Sequence, residues 1–281
     1  MLIAQLTDIH IGFDPGDPEG EANLQRLWQV ARRLREGPNR PDLLLLTGDL
    51  TEHGAASSYA RLKAALGDLD CPIWPIPGNH DDRMTLAAAF SQVPQDGFCH
   101  YAIDLNGLRI LMLDTLEPGR HGGAFCETRA AWLAEQLATN PNVPTLIAMH
   151  HPPFTSGIAW MDTDPAEPWV ARFAAAIAGH EQIVAVICGH LHRTIVTRWL
   201  GATMIVSPSI APAVALDLTE IDPGHPDQRA LITAEPAGYA LHRWDGRNLV
   251  SHFESLGDLT VLAEFGEALQ PMVQSMIAER P

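Results

Sequence analysis

An α/β sheet core is predicted for this 281-residue chain by two features: apolar runs of strand length, and amphipathic segments of helical length that alternate with them. A third feature places chemistry on that core, because five of the apolar runs are followed at once by Asp, Asn or His. LIAQL (2–6) reads as a buried strand. NLQRLWQVARRL (23–34) then carries Leu24, Leu27, Trp28, Ala31 and Leu34 at helical spacing, until Pro38 and Pro41 stop the helix. LLLLT (43–47) is a second buried strand, and SSYARLKAALGDL (57–69) is a helix for which Ser57 or Ser58 offers a cap. IWPI (73–76) is a short strand that Pro75 assigns to an edge or an end of a sheet.

Further strands are expected at 100–104, 109–114, 145–149, 183–187, 195–199 and 203–207, and helices at 127–138 and 168–178. GYALHRW and LVSHFESL flank DGRN, a hairpin turn. A last helix is expected around 260–278, whereas 208–237, rich in Pro, Asp and Ala, has no readable pattern.

The chain is 46% apolar and 19% charged, enough for a sizeable core, and its formal net charge is −16. Such a surface repels nucleic acid and anionic membranes and offers no basic patch; Lys63 is the single lysine. No apolar run has membrane-spanning length, and MLIAQLTDIH has no basic segment leading into a long apolar one, so a secretory signal is not expected. Cys71, Cys99, Cys126 and Cys188 are widely spaced and expected as free thiols in a reducing compartment.

In open α/β sheets, ligands gather at the carboxyl ends of strands. Here LIAQL ends in Thr7-Asp8-Ile9-His10, LLLLT in Gly48-Asp49, and IWPI in Pro77-Gly78-Asn79-His80-Asp81. TLIAM ends in His150-His151 and IVAVI, after Cys188, in Gly189-His190-Leu191-His192. An Asp after a strand is commonly a turn or cap residue, and a lone His is commonly a hydrogen-bonded structural residue. Five such endings together point instead to one shared site. On an extended chain residues two apart face the same way, so His190 and His192 project together. By the same rule only one of His150 and His151 is expected to reach the site directly.

Imidazole and carboxylate together suit Zn, Mn, Fe, Co or Ni, whereas Mg and Ca prefer oxygen alone. Asp8, His10, Asp49, Asn79, His150, His190 and His192 are too many for one four-coordinate ion and suit two ions that share a carboxylate. Two ions ~3.5–4 Å apart clamp the attacking and leaving oxygens of an in-line phosphoryl displacement. They also supply the positive centre that an acidic protein needs for an anionic ester.

DxH (8–10), GD (48–49), GNHD (78–81), HH (150–151) and GHxH (189–192), in this order, resemble the calcineurin-like, or purple-acid-phosphatase-like, metallophosphoesterases. PIPGNHDD (75–82), MHHPPF (149–154), CGHLHR (188–193) and LHRWDGRNLVSHFESL (241–256) resemble the bacterial class III cyclic-nucleotide phosphodiesterases and glycerophosphodiesterases within that group. The resemblance implies a four-layer α/β/β/α sandwich of two mixed β-sheets flanked by helices. It also implies a catalytic domain over 1–256 followed by a C-terminal helical tail at 257–281.

By position it implies Asp8, His10, Asp49 and His192 on a first metal, and Asp49, Asn79, His150 and His190 on a second, with Asp49 bridging. The two divalent ions per chain would be Fe, Mn, Zn or Co. It makes His80 a catalytic residue that binds phosphate and serves the leaving oxygen, its ring titrating near neutrality, with Asn79 also on the substrate side and His151 either there or behind the site. Asp81, Asp82 and Asp114 are read as caps or as acceptors behind the site, and His53 and His121 as loop residues that either line the cleft or, as is more common for loop histidines, are solvated.

The implied reaction is attack on a small anionic phosphodiester, such as a cyclic nucleotide or glycerophosphodiester, by a metal-bound hydroxide. A phosphomonoesterase, a nuclease or a non-catalytic binding protein is the alternative. No membrane or nucleic-acid polymer partner is expected, and a cytoplasmic homo-oligomer, a dimer or larger, is. One departure is that SPSIAPAVA (207–215) lacks the further phosphate-contacting histidine that some of these relatives place there. The loops at about 14–22, 117–126, 155–167 and 208–237, which would set substrate choice, carry no decodable pattern.

Overall fold

The computed structural model of the chain describes residues 1–14, 16–17, 20–257 and 260–280. Among these residues the elements run β1 (Leu2–Leu6), α1 (Ala22–Glu36), β2 (Leu43–Thr47), α2 (Ala56–Leu66), β3 (Ile73–Ile76) and α3 (Arg83–Ala89). They continue with β4 (Tyr101–Leu105), β5 (Leu108–Met112), α4 (Glu127–Thr139), β6 (Thr145–Ala148), α5 (Pro168–Ile177) and β7 (Ile183–Cys188). The last are β8 (Ile195–Trp199), β9 (Ala202–Val206), β10 (Ala213–Val214), β11 (Ile232–Thr233), β12 (Gly238–Trp244), β13 (Leu249–Ser255) and α6 (Gln270–Ala278).

One sheet has the order β13-β12-β1-β2-β3 and the other β4-β5-β6-β7-β9-β8. β1, β2 and β3 run parallel in the first, and β5, β6, β7 and β9 in the second, with antiparallel neighbours outside them. Alternation along each strand splits its side chains between two faces. Ile3, Leu43, Leu45, Ile110, Met112, Leu146 and Ile187 meet in a core between the sheets. Ala4, Leu6, Leu44 and Leu46 face the other way, against α1, α2 and α3. Leu111, Ile147 and Val186 likewise face α4 and α5. The result is the expected four-layer α/β/β/α sandwich. It explains why the central strands read as continuous apolar runs, since both their faces are buried.

β3 is an edge strand, so Pro75 removes no ladder hydrogen bond to an outer neighbour. Other expectations need correction. α2 starts at Ala56 after Ala55, with no side-chain cap; Ser58 is buried within the first turn, and neither serine caps it. The last helix covers only Gln270–Ala278, not 260–278, and buries none of its residues. α3 was not expected: seven residues are too few to show a period. The two-residue strands β10 and β11 lie inside the unreadable 208–237. Residues 15, 18 and 19 of the 14–22 loop, and 258, 259 and 281 of the tail, lie outside the described residues. All four cysteines are free, and among the described residues no helix is long and apolar enough to cross a membrane.

Candidate metal centre

The parallel strands β1, β2 and β3 of one sheet, and β6 and β7 of the other, deliver their carboxyl ends to one edge of the sandwich. The chain there bends abruptly. Asp8 (φ 51°), His10 (φ 53°), Asp49 (φ 50°), His190 (φ 71°) and His192 (φ 51°) all adopt left-handed backbone, which costs a residue other than glycine about 1–2 kcal/mol. The loops hold one another in this conformation. Asp8 N donates to Gly48 O (3.0 Å), Ile9 N and His10 N to Asp49 O (2.8 and 3.0 Å), and His190 N to Asp8 Oδ1 and Oδ2 (3.1 and 3.0 Å). Gly189 and Gly78 permit the crossing: a Cβ at Gly189 would overlap Thr7 Oγ1, and one at Gly78 would overlap Asp49 Oδ1.

The ligating atoms of Asp8, His10 and His192 form one close group, those of Asp8, Asp49 and His150 a second, and those of His10, Asp49 and His80 a third. His150, His151 and His190 form a fourth. All these carboxylates and rings are buried except His80 and His192, which are half-buried. His192 Nε2 lies 3.3 Å from Asp8 Oδ1 and 3.3 Å from His10 Nε2; His150 Nε2 lies 3.2 Å from Asp49 Oδ2.

The far side of each ring decides its tautomer. His150 Nδ1 donates to Thr47 O and His192 Nδ1 to Pro212 O, each at 2.8 Å, and His10 Nδ1 donates to Glu52 Oε2 at 2.7 Å. In the neutral rings the Nε2 lone pairs therefore point into the cluster. His10 Nε2 and His192 Nε2 then face each other lone pair to lone pair, and His150 Nε2, although buried, makes no hydrogen bond. Burial opposes charge on the His150 ring, yet Asp49 and Asp8 raise its pKa to about 9. The pocket attracts positive charge at Nε2, so this donor set fits divalent metal ions.

Behind these atoms stand residues whose roles the sequence does not reveal. Glu52 accepts from His10 and lies 3.4 Å from His80 Nδ1, which donates to Glu52 O (3.1 Å). Burial works against its charge, but hydrogen bonds from His10 and His80 hold the Glu52 carboxyl at about 2. The hydrogen bond to Glu52, against the cost of burial and with help from Asp49, lifts His80 to about 9 and not to neutrality; a cation in the cluster opposes that shift.

His150 and His151 do not diverge as expected. Residues 149–151 are not part of a strand, both rings are fully buried, and they meet edge to face at 4.7 Å beside His190. Thr115 Oγ1 donates to His151 Nδ1 (2.8 Å), and His151 Nε2 donates to Asn79 Oδ1 (3.1 Å) and His121 O (3.2 Å). His121 lines the cleft over the cluster; His53 is exposed and is not among its lining residues. Asp82 caps α3 through Thr85 N (2.8 Å), and Asp114 takes a two-pronged ion pair from Arg83 (2.6 and 2.9 Å). The sequence signal for Glu52 is its place three residues after Asp49. Thr115 and Pro212 gave none, since their contacts come from chain segments far apart.

Residues 1–194 match the calcineurin-like phosphoesterase family. The chain is 30% identical over 262 residues to a probable glycerophosphodiester phosphodiesterase of Arcobacter nitrofigilis, covering 92% of this chain and 94% of the relative. It is 34% identical over 225 residues to a probable cyclic nucleotide phosphodiesterase of a Synechococcus species, covering 80% and 85%. It is 32% identical over 203 residues to a cAMP/cGMP dual specificity phosphodiesterase of Mycobacterium tuberculosis, covering 69% and 61%. Its fold is similar to that of a dimetal phosphatase from Danio rerio, with TM-score 0.66, 15% identity, and coverage of 91% of this chain and 96% of the other.

Proposed function

The chain belongs to the calcineurin-like phosphoesterase family, and on that footing we propose that it hydrolyses small phosphodiesters with the help of two divalent metal ions. The observation that carries this reading is the convergence of Asp8, His10, Asp49, His150, His190 and His192, with ring nitrogens aimed inward and one of them, His150 Nε2, buried without a hydrogen bond. In this reading Asp8, His10, Asp49 and His192 hold one ion and Asp49, Asn79, His150 and His190 the other, and the ions are Fe, Mn, Zn or Co. When bound, the ions supply positive charge for the phosphoryl oxygens and a water of lowered pKa.

The chain's own residues do the rest. Asp8 fixes the His190 backbone as well as facing His192, so each carboxylate oxygen has a structural duty too. His151 orients the Asn79 carboxamide. His80, its Nδ1–H turned to Glu52 O, presents Nε2 to the cleft, where it donates a proton to the leaving oxygen. The same reading makes the protein cytoplasmic, which its free thiols suit, and a dimer or larger assembly, which light scattering checks.

Asp49→Ala and Asn79→Ala are each expected to lower turnover of bis(4-nitrophenyl) phosphate by more than about a hundredfold. Bound manganese, counted by mass spectrometry, should fall in the same variants. Unchanged turnover and metal content in both would refute the assignment.

A further inference from the structure

A cleft of about 440 Å³ opens over the metal cluster, with His10, His80, His121 and His192 at its polar end. Apart from Asn23 and Glu52 its remaining wall is apolar, with Phe13, Trp160, Met161, Pro212, Val214 and Ile232 among its residues. Among the described residues lining it there is no Lys or Arg, and Glu52 is the one carboxylate. A substrate's phosphate is served at the polar end, but a second anionic group further out would meet no cation.

Two of these side chains stand out. Phe13 is 68% exposed and Trp160 36% exposed, although both border a buried catalytic cluster. Their backbones are braced. Buried Glu21 accepts from Gly12 N (2.7 Å) and Phe13 N (3.0 Å) with one oxygen, and pairs with Arg61 (2.7 Å) through the other. Asp162 accepts from Ser156 N (2.5 Å) and Gly157 N (2.9 Å), and Met161 N donates to Ile158 O (2.9 Å), which fixes the turn carrying Trp160. Aromatic rings held on braced backbone beside an anion site form a stacking platform, paying little ordering entropy when a flat group arrives.

We propose that Phe13 and Trp160 are specificity-determining residues that stack on a flat, uncharged aromatic substituent of the phosphodiester, so that this enzyme prefers diesters bearing such a group over glycerol-type diesters. This rests on the phosphodiesterase reading above. The loops that present the two rings, near 14–22 and within 155–167, are unlike the metal-binding turns in having no motif, so their contribution emerges only from the fold.

Two measurements test it on manganese-loaded protein. The first is binding of diphenylphosphinate and dimethylphosphinate, anions with no ester bond to cleave, by isothermal titration. The Phe13→Ala/Trp160→Ala double variant should bind diphenylphosphinate at least about tenfold more weakly while dimethylphosphinate changes by less than about twofold, and Trp160→Phe should retain most of the affinity. The second is kcat/KM for 3′,5′-cyclic AMP and for glycerophosphoethanolamine. The double variant should lose at least about fivefold on the first, mainly through KM, and little on the second. Equal losses on both members of either pair, or no loss, would overturn the wall assignment alone. A wild-type enzyme that cleaves 4-nitrophenyl phosphate but neither diester would overturn the phosphodiesterase reading, and this inference with it.

Discussion

Asp81 is not among the atoms that face the metal cluster, yet Leu50 N, Thr51 N, Thr51 Oγ1, Tyr59 OH and Gly78 N all donate to its two oxygens. It ties the turn that carries Asp49 to the turn that carries Asn79. Replacing it with Ala leaves buried donors without an acceptor, so Asp81→Ala should cost at least about 3 kcal/mol in urea unfolding, with Asp81→Asn costing less. A cost under about 1 kcal/mol would mean that water replaces the carboxylate without loss. His151 acts through Asn79 in the same way, as a positioning residue. His151→Phe should lower kcat about 10–100-fold and weaken manganese binding, and His151→Gln, whose amide still donates towards Asn79 Oδ1, should recover part of both. The general place of both residues was legible in the sequence, their partners were not. Asp81 reads as a cap or an acceptor behind the site and His151 as a residue behind the site or on its substrate side, but their particular partners do not show, because apart from Gly78 they lie 22–31 residues from Asp81 and 30–72 from His151.

The elements were legible to the degree that packing imposed a period on them. β1, β2, β6 and β7 are buried on both faces and stand out as apolar runs, and α1 shows its buried Leu24, Leu27, Val30, Ala31 and Leu34 as a stripe. The Asp and His residues of the candidate metal site were legible as a group because they follow such runs closely. α3, β10 and β11 are shorter than the pattern that would announce them. The tail failed for the opposite reason: α6 has apolar residues at Met272, Val273, Met276 and Ile277, but none of its residues is buried among the described residues. An element that buries nothing stabilises nothing by burial. Deleting residues 257–281 should therefore leave the urea midpoint and the diester turnover of the monomeric unit unchanged, within about 0.5 kcal/mol. A larger loss would show that the tail is covered by a partner in solution.

At the scale of the molecule, a buried polar chain crosses the apolar layer between the sheets. Gln5 Nε2 donates to Thr47 Oγ1 (2.8 Å) and, across the layer, to Cys188 O (3.0 Å); Gln5 Oε1 accepts from His242 Nε2 (3.0 Å), and Ser251 Oγ donates to His242 Nδ1 (2.7 Å). Every polar atom of the His242 ring is satisfied in its neutral form, and burial lowers its pKa from 6.5 to about 4. The unfolded ring takes up a proton near pH 6.5 and the folded ring only near pH 4, so unfolding binds protons between these values. Stability should fall as pH drops through that window, by up to about 3 kcal/mol, and His242→Gln should flatten this part of the profile. The two sheets that this chain joins also bring the two halves of the proposed metal site together, Asp8, His10, Asp49 and Asn79 from one and His150, His190 and His192 from the other. Anomalous scattering from a manganese-soaked crystal measures whether they meet around two metal ions. The expected map has two peaks about 3.5–4 Å apart, one beside Asp8, His10 and His192, the other beside Asn79, His150 and His190, with Asp49 touching both. A single peak, or peaks away from Asp49, would contradict the account.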